Sequence, residues 1–189
     1  MTENVDVVVA VGEALRRGTS SEATRLLRER YAFVPQPPAR RAYGLLEATQ
    51  VFVRDGFLDR YSGARLLFPP ALRLISQLLP QEFPYHPNWK TDRTHPAYWE
   101  LCATIDHVQP VTRGGEDVFS NWVTTSMARN SAKANSTLEE IGWTLFPPGN
   151  PADWDGMLRW FLELSTAHPR LVLSPTMRQW RRAATLVSS

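Results

Sequence analysis

Between residues 104 and 135 the chain gathers an Asp-His pair, a Gly-Gly step, two spaced asparagines and a lysine: T-I-D-H-V-Q-P-V-T-R-G-G-E-D-V-F-S-N-W-V-T-T-S-M-A-R-N-S-A-K-A-N. His107 is the residue of this run able to take up a proton near neutral pH, which makes it the candidate general base. Asp106 and Asn130 offer hard oxygen donors, the kind that suit a Mg²⁺ or Mn²⁺ ion retaining several of its waters. An Asp-His pair alone is a weak signal, since most such pairs are surface or capping residues. Its weight comes from the company of the glycines, the asparagines and Lys133.

Local sequence says how these groups would be held. Residues 104–108 suit a short strand that ends at Asp106 and His107. Gly114 and Gly115 supply the backbone angles of a tight excursion. Trp122, Val123, Thr124 and Thr125 are strand formers. From Met127 the composition turns helical, and Asn130, Lys133 and Thr137 fall at i, i+3 and i+7, on one helix face. Asn130 also suits a helix N-cap, a common use of Asn early in a helix. The expected unit is a hairpin that sets Asp106 and His107 beside the first turns of a helix.

His107, Asn121 and Asn130, at intervals of 14 and 9 residues, resemble the three signature positions of the HNH endonucleases, with Asn in the last place. The preceding Asp106, the loop 110–115 and the ending Asn130-x-x-Lys133 match as well. The resemblance implies a ββα-metal fold and phosphodiester hydrolysis on DNA with one divalent metal, leaving 5′-phosphate and 3′-hydroxyl ends. It gives Asp106 and Asn130 to the metal, His107 to the water, and Asn121 to orienting the His107 region. Lys133, Arg129 and Arg113 are then expected on phosphate oxygens.

Upstream, Arg54-Asp55-Gly56-Phe57 is similar to the segment that introduces a zinc knuckle in such proteins. Here the sequence departs from the pattern. The four knuckle positions fall on Asp59, Ser62, Ser126 and Arg129, none a credible zinc-thiolate ligand, so no structural Zn²⁺ is expected. Packing by Phe57, Tyr61, Leu66 and the loop aromatics must then take the knuckle's place.

The rest of the chain reads as mainly helical. Helices are expected at 4–17 and 21–33 with a Thr19/Glu22 capping box, and at about 39–54, stopping at Gly56. A turn and short strand follow at 57–66, then a helix opened by Pro70 with Leu72, Ile75, Leu78 and Leu79. Residues 80–96, rich in proline and aromatics, read as an ordered irregular loop, and 97–102 as a helical turn. After a Pro- and Gly-rich crossing at 139–151, Trp154, Met157, Leu158, Phe161 and Leu162 mark an amphipathic helix with Asp153 as its cap. A last helix spans about 175–186. The fold class is α+β, a mainly helical chain around a central ββα motif (about 104–137). Its parts are an N-terminal helical hairpin at 1–37, a nuclease-like core at 38–145, and C-terminal helices at 146–189. Pro35, Pro37 and Pro38 mark the first joint.

Composition bounds the partners. With 189 residues, 43% hydrophobic and 21% charged, the chain is globular in balance and long enough to build a core without disulfides or metal. A net charge of +2 permits a nucleic-acid partner without arguing for one. No apolar run is long enough for a membrane span, and the N-terminal M-T-E-N-V-D has no basic leader region. One cysteine, Cys102, excludes an intrachain disulfide and is expected to be a buried side chain. The cytoplasm is the expected compartment, where the sequon at Asn135 would be idle. His86, His95 and His168 each precede a proline and read as loop and cap residues. Arg178, Arg181 and Arg182 beside Trp180 make a basic helix face, most simply a solvated one. DNA is the expected partner, and helical arms of this kind could form a homodimer or join a larger assembly. The alternative is a catalytically silent nucleic-acid-binding or interaction subunit.

Overall fold

The computed structural model describes residues 2–33 and 43–188. The chain divides into two compact units, Met1–Arg40 and Arg41–Ser189. In the first, α1 (Thr2–Arg16) packs on α2 (Ser20–Arg30) across a turn at Gly18. The Thr19/Glu22 spacing does not close a capping box. The Thr19 hydroxyl donates to the Ala14 carbonyl and the Glu22 carboxylate instead, and makes no cap bond to a backbone amide of the helix. The Pro35–Pro38 joint lies outside the described residues.

The second unit begins, within the described residues, at Tyr43. Its first helix, α3 (Leu45–Arg54), is opened by Gly44 and Glu47, and the 39–42 part of the expected helix lies outside the described residues. It stops where Gly56 was expected to stop it. Gly56 has φ +61°, its amide donates to Val53, and the Phe57 amide donates back to Phe52. That double closure uses up carbonyls a helix end leaves open. The turn-and-strand expected at 57–66 is reduced to a single bridge, Leu58 with Arg65.

Helix α4 (Pro69–Leu78) follows, buried through Ala71, Leu72 and Leu74, while Leu78 and Leu79 of the expected stripe are half-exposed. Residues 80–96 form no helix or strand and are held by rings. Trp89 sits edge-on to Tyr98 at 5.6 Å and to Trp99 at 5.7 Å, and His95 stacks on Phe83 at 4.1 Å. The short α5 (Ala97–Glu100) delivers the chain to β1 (Ala103–His107). β1 pairs antiparallel with β2 (Trp122–Ser126), setting His107 opposite Trp122 and Asp106 opposite Val123.

Helix α6 (Met127–Lys133) leaves β2 directly. It ends at Lys133, where Ala134 takes φ +48°, so Thr137 does not share its face. Thr137 instead caps a separate turn, α7 (Leu138–Ile141). Beyond it, α8 (Leu158–Ala167) starts later than expected. Asp155, rather than Asp153, takes the backbone amides of Met157 and Arg159. Trp154 stands outside that helix, its indole N–H on the Leu66 carbonyl. Helix α9 (Pro175–Ser188) closes the described chain against α3 and α8.

One core joins these pieces: Val51 and Phe52 of α3, Phe57, Leu66, Phe68, Ile105 of β1, Trp122 of β2, Phe161 of α8 and Met177 of α9. The hairpin is thus backed by helices from both ends of the unit. No helix among the described residues is long and apolar enough to cross a membrane.

Candidate active site

Three side chains of α6 and β1 lock the helix to the end of the first strand. Asn130 Nδ2 donates to the Ile105 carbonyl at 3.0 Å. Lys133, with no exposed side-chain surface, places its ammonium 3.0 Å from Asp106 Oδ2 and 2.8 Å from the His107 carbonyl. Tyr61 donates its hydroxyl to the same Asp106 oxygen at 2.7 Å. Burial, and after it the Asp106 charge, hold the Tyr61 phenol far above its ordinary range, so it remains a donor.

Asp106 is therefore two-faced. Oδ2 takes the lysine and the tyrosine, while Oδ1 makes no hydrogen bond. Among the described residues no buried side-chain nitrogen or oxygen lacks a partner, so Oδ1 must reach solvent. Asn130, having turned Nδ2 to the backbone, keeps Oδ1 unbonded as well. Two oxygens at the end of β1 are left with nothing of the protein on them.

His107 is held at Nε2. Asp117 Oδ1 lies 2.7 Å from it, and the Trp122 indole N–H lies 3.2 Å from it and 2.8 Å from the same Asp117 oxygen. His107 Nδ1 makes no hydrogen bond and, by the same reasoning as for Asp106 Oδ1, meets solvent.

The loop carrying Asp117 is shaped by the two glycines. Gly114 has φ +82°, and a Cβ on Gly115 would lie 1.9 Å from the Gln109 carbonyl oxygen, so a larger residue there would displace the loop. Asn121 ties the loop together across its neck. Its Oδ1 accepts from the Gln109 amide, and its Nδ2 donates to the carbonyls of Gln109 and Glu116. Its side chain is spent on the loop whose Asp117 meets the imidazole.

The remaining expected site residues sit differently. Lys133 is buried and committed to Asp106 and the His107 carbonyl, a placement that leaves no ammonium for a phosphate. Arg113 is half-exposed and pairs with Glu140 at 3.3 Å. Arg129 reaches Asp59 at 3.6 Å and lies over the Trp143 ring. Asn130 is inside the helix, and Ser126 is the cap, its hydroxyl oxygen accepting from the Arg129 amide.

Two buried carboxylates brace the hairpin from behind, a reach that no local pattern signals. Asp55 accepts from Arg54 and Arg60 and takes the Thr124 backbone amide at 2.7 Å. Asp59 takes the amides of Tyr61 and Ser126 and the Thr125 hydroxyl. Arg54 adds bonds to the Phe119 and Trp122 carbonyls. Three of the four knuckle positions, Asp59, Ser126 and Arg129, thus meet through hydrogen bonds and an ion pair. Packing by Phe57, Tyr61 and Leu66, all buried, accompanies them.

A divalent cation fits the donor set in one way only. Among the described residues no three His, Cys, Asp or Glu side chains converge on a point that could hold a metal. One open carboxylate oxygen and one open carboxamide oxygen remain, a sparse pair that suits a hard ion keeping most of its waters. Asp117 is the site neighbour that sequence reading passed over, and Tyr61, expected only to pack, also holds Asp106. The only signal was an acidic pair following the glycines in the His107–Asn121 loop.

Cys102 is buried, its thiol pushed by burial from 9.0 up to about 12, which suits packing and not nucleophilic chemistry. His86 and His95 accept backbone amides through Nδ1 in the loop, as loop residues do. Comparison of the chain with protein-family models, curated proteins and solved structures returned no match.

Proposed function

We propose that the β1–β2–α6 unit is an HNH-type centre that hydrolyses DNA phosphodiester bonds with one divalent metal, Mg²⁺ or Mn²⁺. The observation that carries this reading is that Asp106 and His107, adjacent at the end of β1, and Asn130, bonded to the neighbouring Ile105 carbonyl, each keep one polar atom free of the protein. A bound metal would supply charge neutralisation at the scissile phosphate and the leaving O3′. His107 Nδ1 takes the proton of the attacking water as the general base. Asp106 and Asn130 present their free oxygens to the ion, and Lys133 and Tyr61 fix the Asp106 carboxylate from behind. Asn121 keeps the loop closed around the imidazole. Arg113 and Arg129, both with exposed side-chain surface, are the cations for phosphate oxygens in this reading. The products of this route are 5′-phosphate and 3′-hydroxyl ends.

Supercoiled plasmid incubated with Mg²⁺ or Mn²⁺ should be nicked or cut, with the activity lost on adding EDTA. His107→Ala should lower the rate by about a hundredfold or more. Full activity in purified His107→Ala protein would remove His107 as the base.

One observation favours a second element of the reading. On α1, Val5, Val8 and Val9 stand exposed at helical spacing. An apolar helix face of this kind suits work inside an assembly, where a partner would be required for cutting. Salt-dependent DNA binding without turnover, under every metal tried and with no partner effect, would instead select a catalytically silent binding module.

A further inference from the structure

We infer that Asp117 is a positioning residue that holds His107 as its Nε2–H tautomer, with the Trp122 indole fixing Asp117 in turn. The inference rests on the nuclease reading for its consequence, but its geometry stands apart from it.

The donor and acceptor inventory decides the tautomer. An indole N–H can only donate, so the Trp122 Nε1–H needs an acceptor, and Asp117 Oδ1 at 2.8 Å is a better one than His107 Nε2 at 3.2 Å. A carboxylate can only accept, so the 2.7 Å contact between Asp117 Oδ1 and His107 Nε2 requires the hydrogen to sit on Nε2. Nδ1 then carries the lone pair, and Nδ1 is the ring nitrogen that meets solvent. The opposite tautomer would set two lone pairs against each other at Nε2 and would turn a useless N–H toward the water.

The backbone supports the same arrangement from the other side. His107 and Trp122 are register partners across the hairpin, so the indole and the imidazole share one end of the sheet. Gly115 folds the loop back on Gln109, and Asn121 holds the Gln109 and Glu116 carbonyls, one residue before Asp117. Asp117 is set by both, while its own side chain stays partly exposed. A replacement there need not disturb the core.

Long-range ¹H–¹⁵N spectra of the metal-free protein at alkaline pH read the tautomer directly, with His107→Gln identifying the His107 signals. In the wild-type chain His107 should show the Nε2–H pattern. A wild-type Nδ1–H pattern would overturn the inference at once. Asp117→Ala should convert His107 to a mixture of tautomers, lower kcat by about a hundredfold and leave KM for plasmid within about threefold. An unchanged tautomer in Asp117→Ala, or unchanged kcat, would also overturn it. Trp122→Phe, which keeps an aromatic side chain and removes the donor, should shift the same signals in the same direction, more weakly. Should the wild-type protein cut no substrate while the tautomer still depends on Asp117, the nuclease reading fails and the hold of Asp117 on His107 stands.

Discussion

At the scale of single residues, the site is built from side chains that each spend one atom on the protein and leave another free. Asp106 gives Oδ2 to Lys133 and Tyr61, Asn130 gives Nδ2 to the Ile105 carbonyl, and His107 gives Nε2 to Asp117. Lys133 is the residue whose expected and observed places differ most. Its helical spacing from Asn130 is as expected, yet the turn of α6 that carries it faces inward. Lys133→Met should lower the folding free energy by about 3 kcal/mol, the low end for a broken buried pair, because Tyr61 stays on Asp106 and Oδ1 meets water. The salt dependence of DNA binding should not change in this variant. A slope reduced by about one would return Lys133 to the phosphate backbone. Cys102 allows a second test at this scale. Its neutral thiol is favoured in the fold, so the associated stability is intact below about pH 9 and is lost as pH rises from there through about 12. Cys102→Ala should remove that part of the alkaline decline in urea unfolding; an identical decline in the variant would show the thiol is not its source.

At the scale of elements, the hairpin holds its shape through contacts that arrive from outside it. Two five-residue strands are a marginal unit in water. Asp55 and Asp59, from the chain just after α3, take backbone amides of β2, and Arg54 takes two carbonyls at its start. An ion pair between Asp59 and Arg129 ties the same turn to α6. The loop between the strands depends on Gly115. A methyl group there would meet the Gln109 carbonyl, so Gly115→Ala must move Glu116 and Asp117. A displacement of about 1 Å at a positioned group costs about a hundredfold in rate, while the core beneath is untouched. Gly115→Ala should therefore lose cleavage activity with its urea midpoint nearly unchanged. Retained activity would mean the loop does not govern the imidazole. Helix ends were legible where a single residue sets them, as Gly56 does, and misplaced where several candidates competed, as Asp153 and Asp155 did.

At the scale of the whole molecule, the hairpin and its braces lie within Arg41–Ser189. That unit has its own core, drawn from α3, α4, both strands, α8 and α9. A chain of residues 41–189 should unfold cooperatively and keep the metal-dependent cleavage proposed for the full protein. Failure of that fragment to fold would show that residues 1–40 are part of the stability of the site. Loss of cutting with folding intact would assign them to substrate or partner engagement.

Local order was legible in the residues alone: a strand ending at Asp106 and His107, a glycine-driven loop, a second strand, and a helix carrying Asn130 and Lys133. These follow from short-range spacing, and short-range spacing is what periodicity and backbone preference record. The residues also showed that the knuckle positions hold no thiols. Tertiary structure alone decided which face of each side chain is spent and which is open. Lys133 turned inward, Asp117 came to His107 across a ten-residue loop, and Asp55 and Asp59 reached a strand more than sixty residues away. Such pairings depend on how separate elements meet in space, and no local pattern encodes a meeting point.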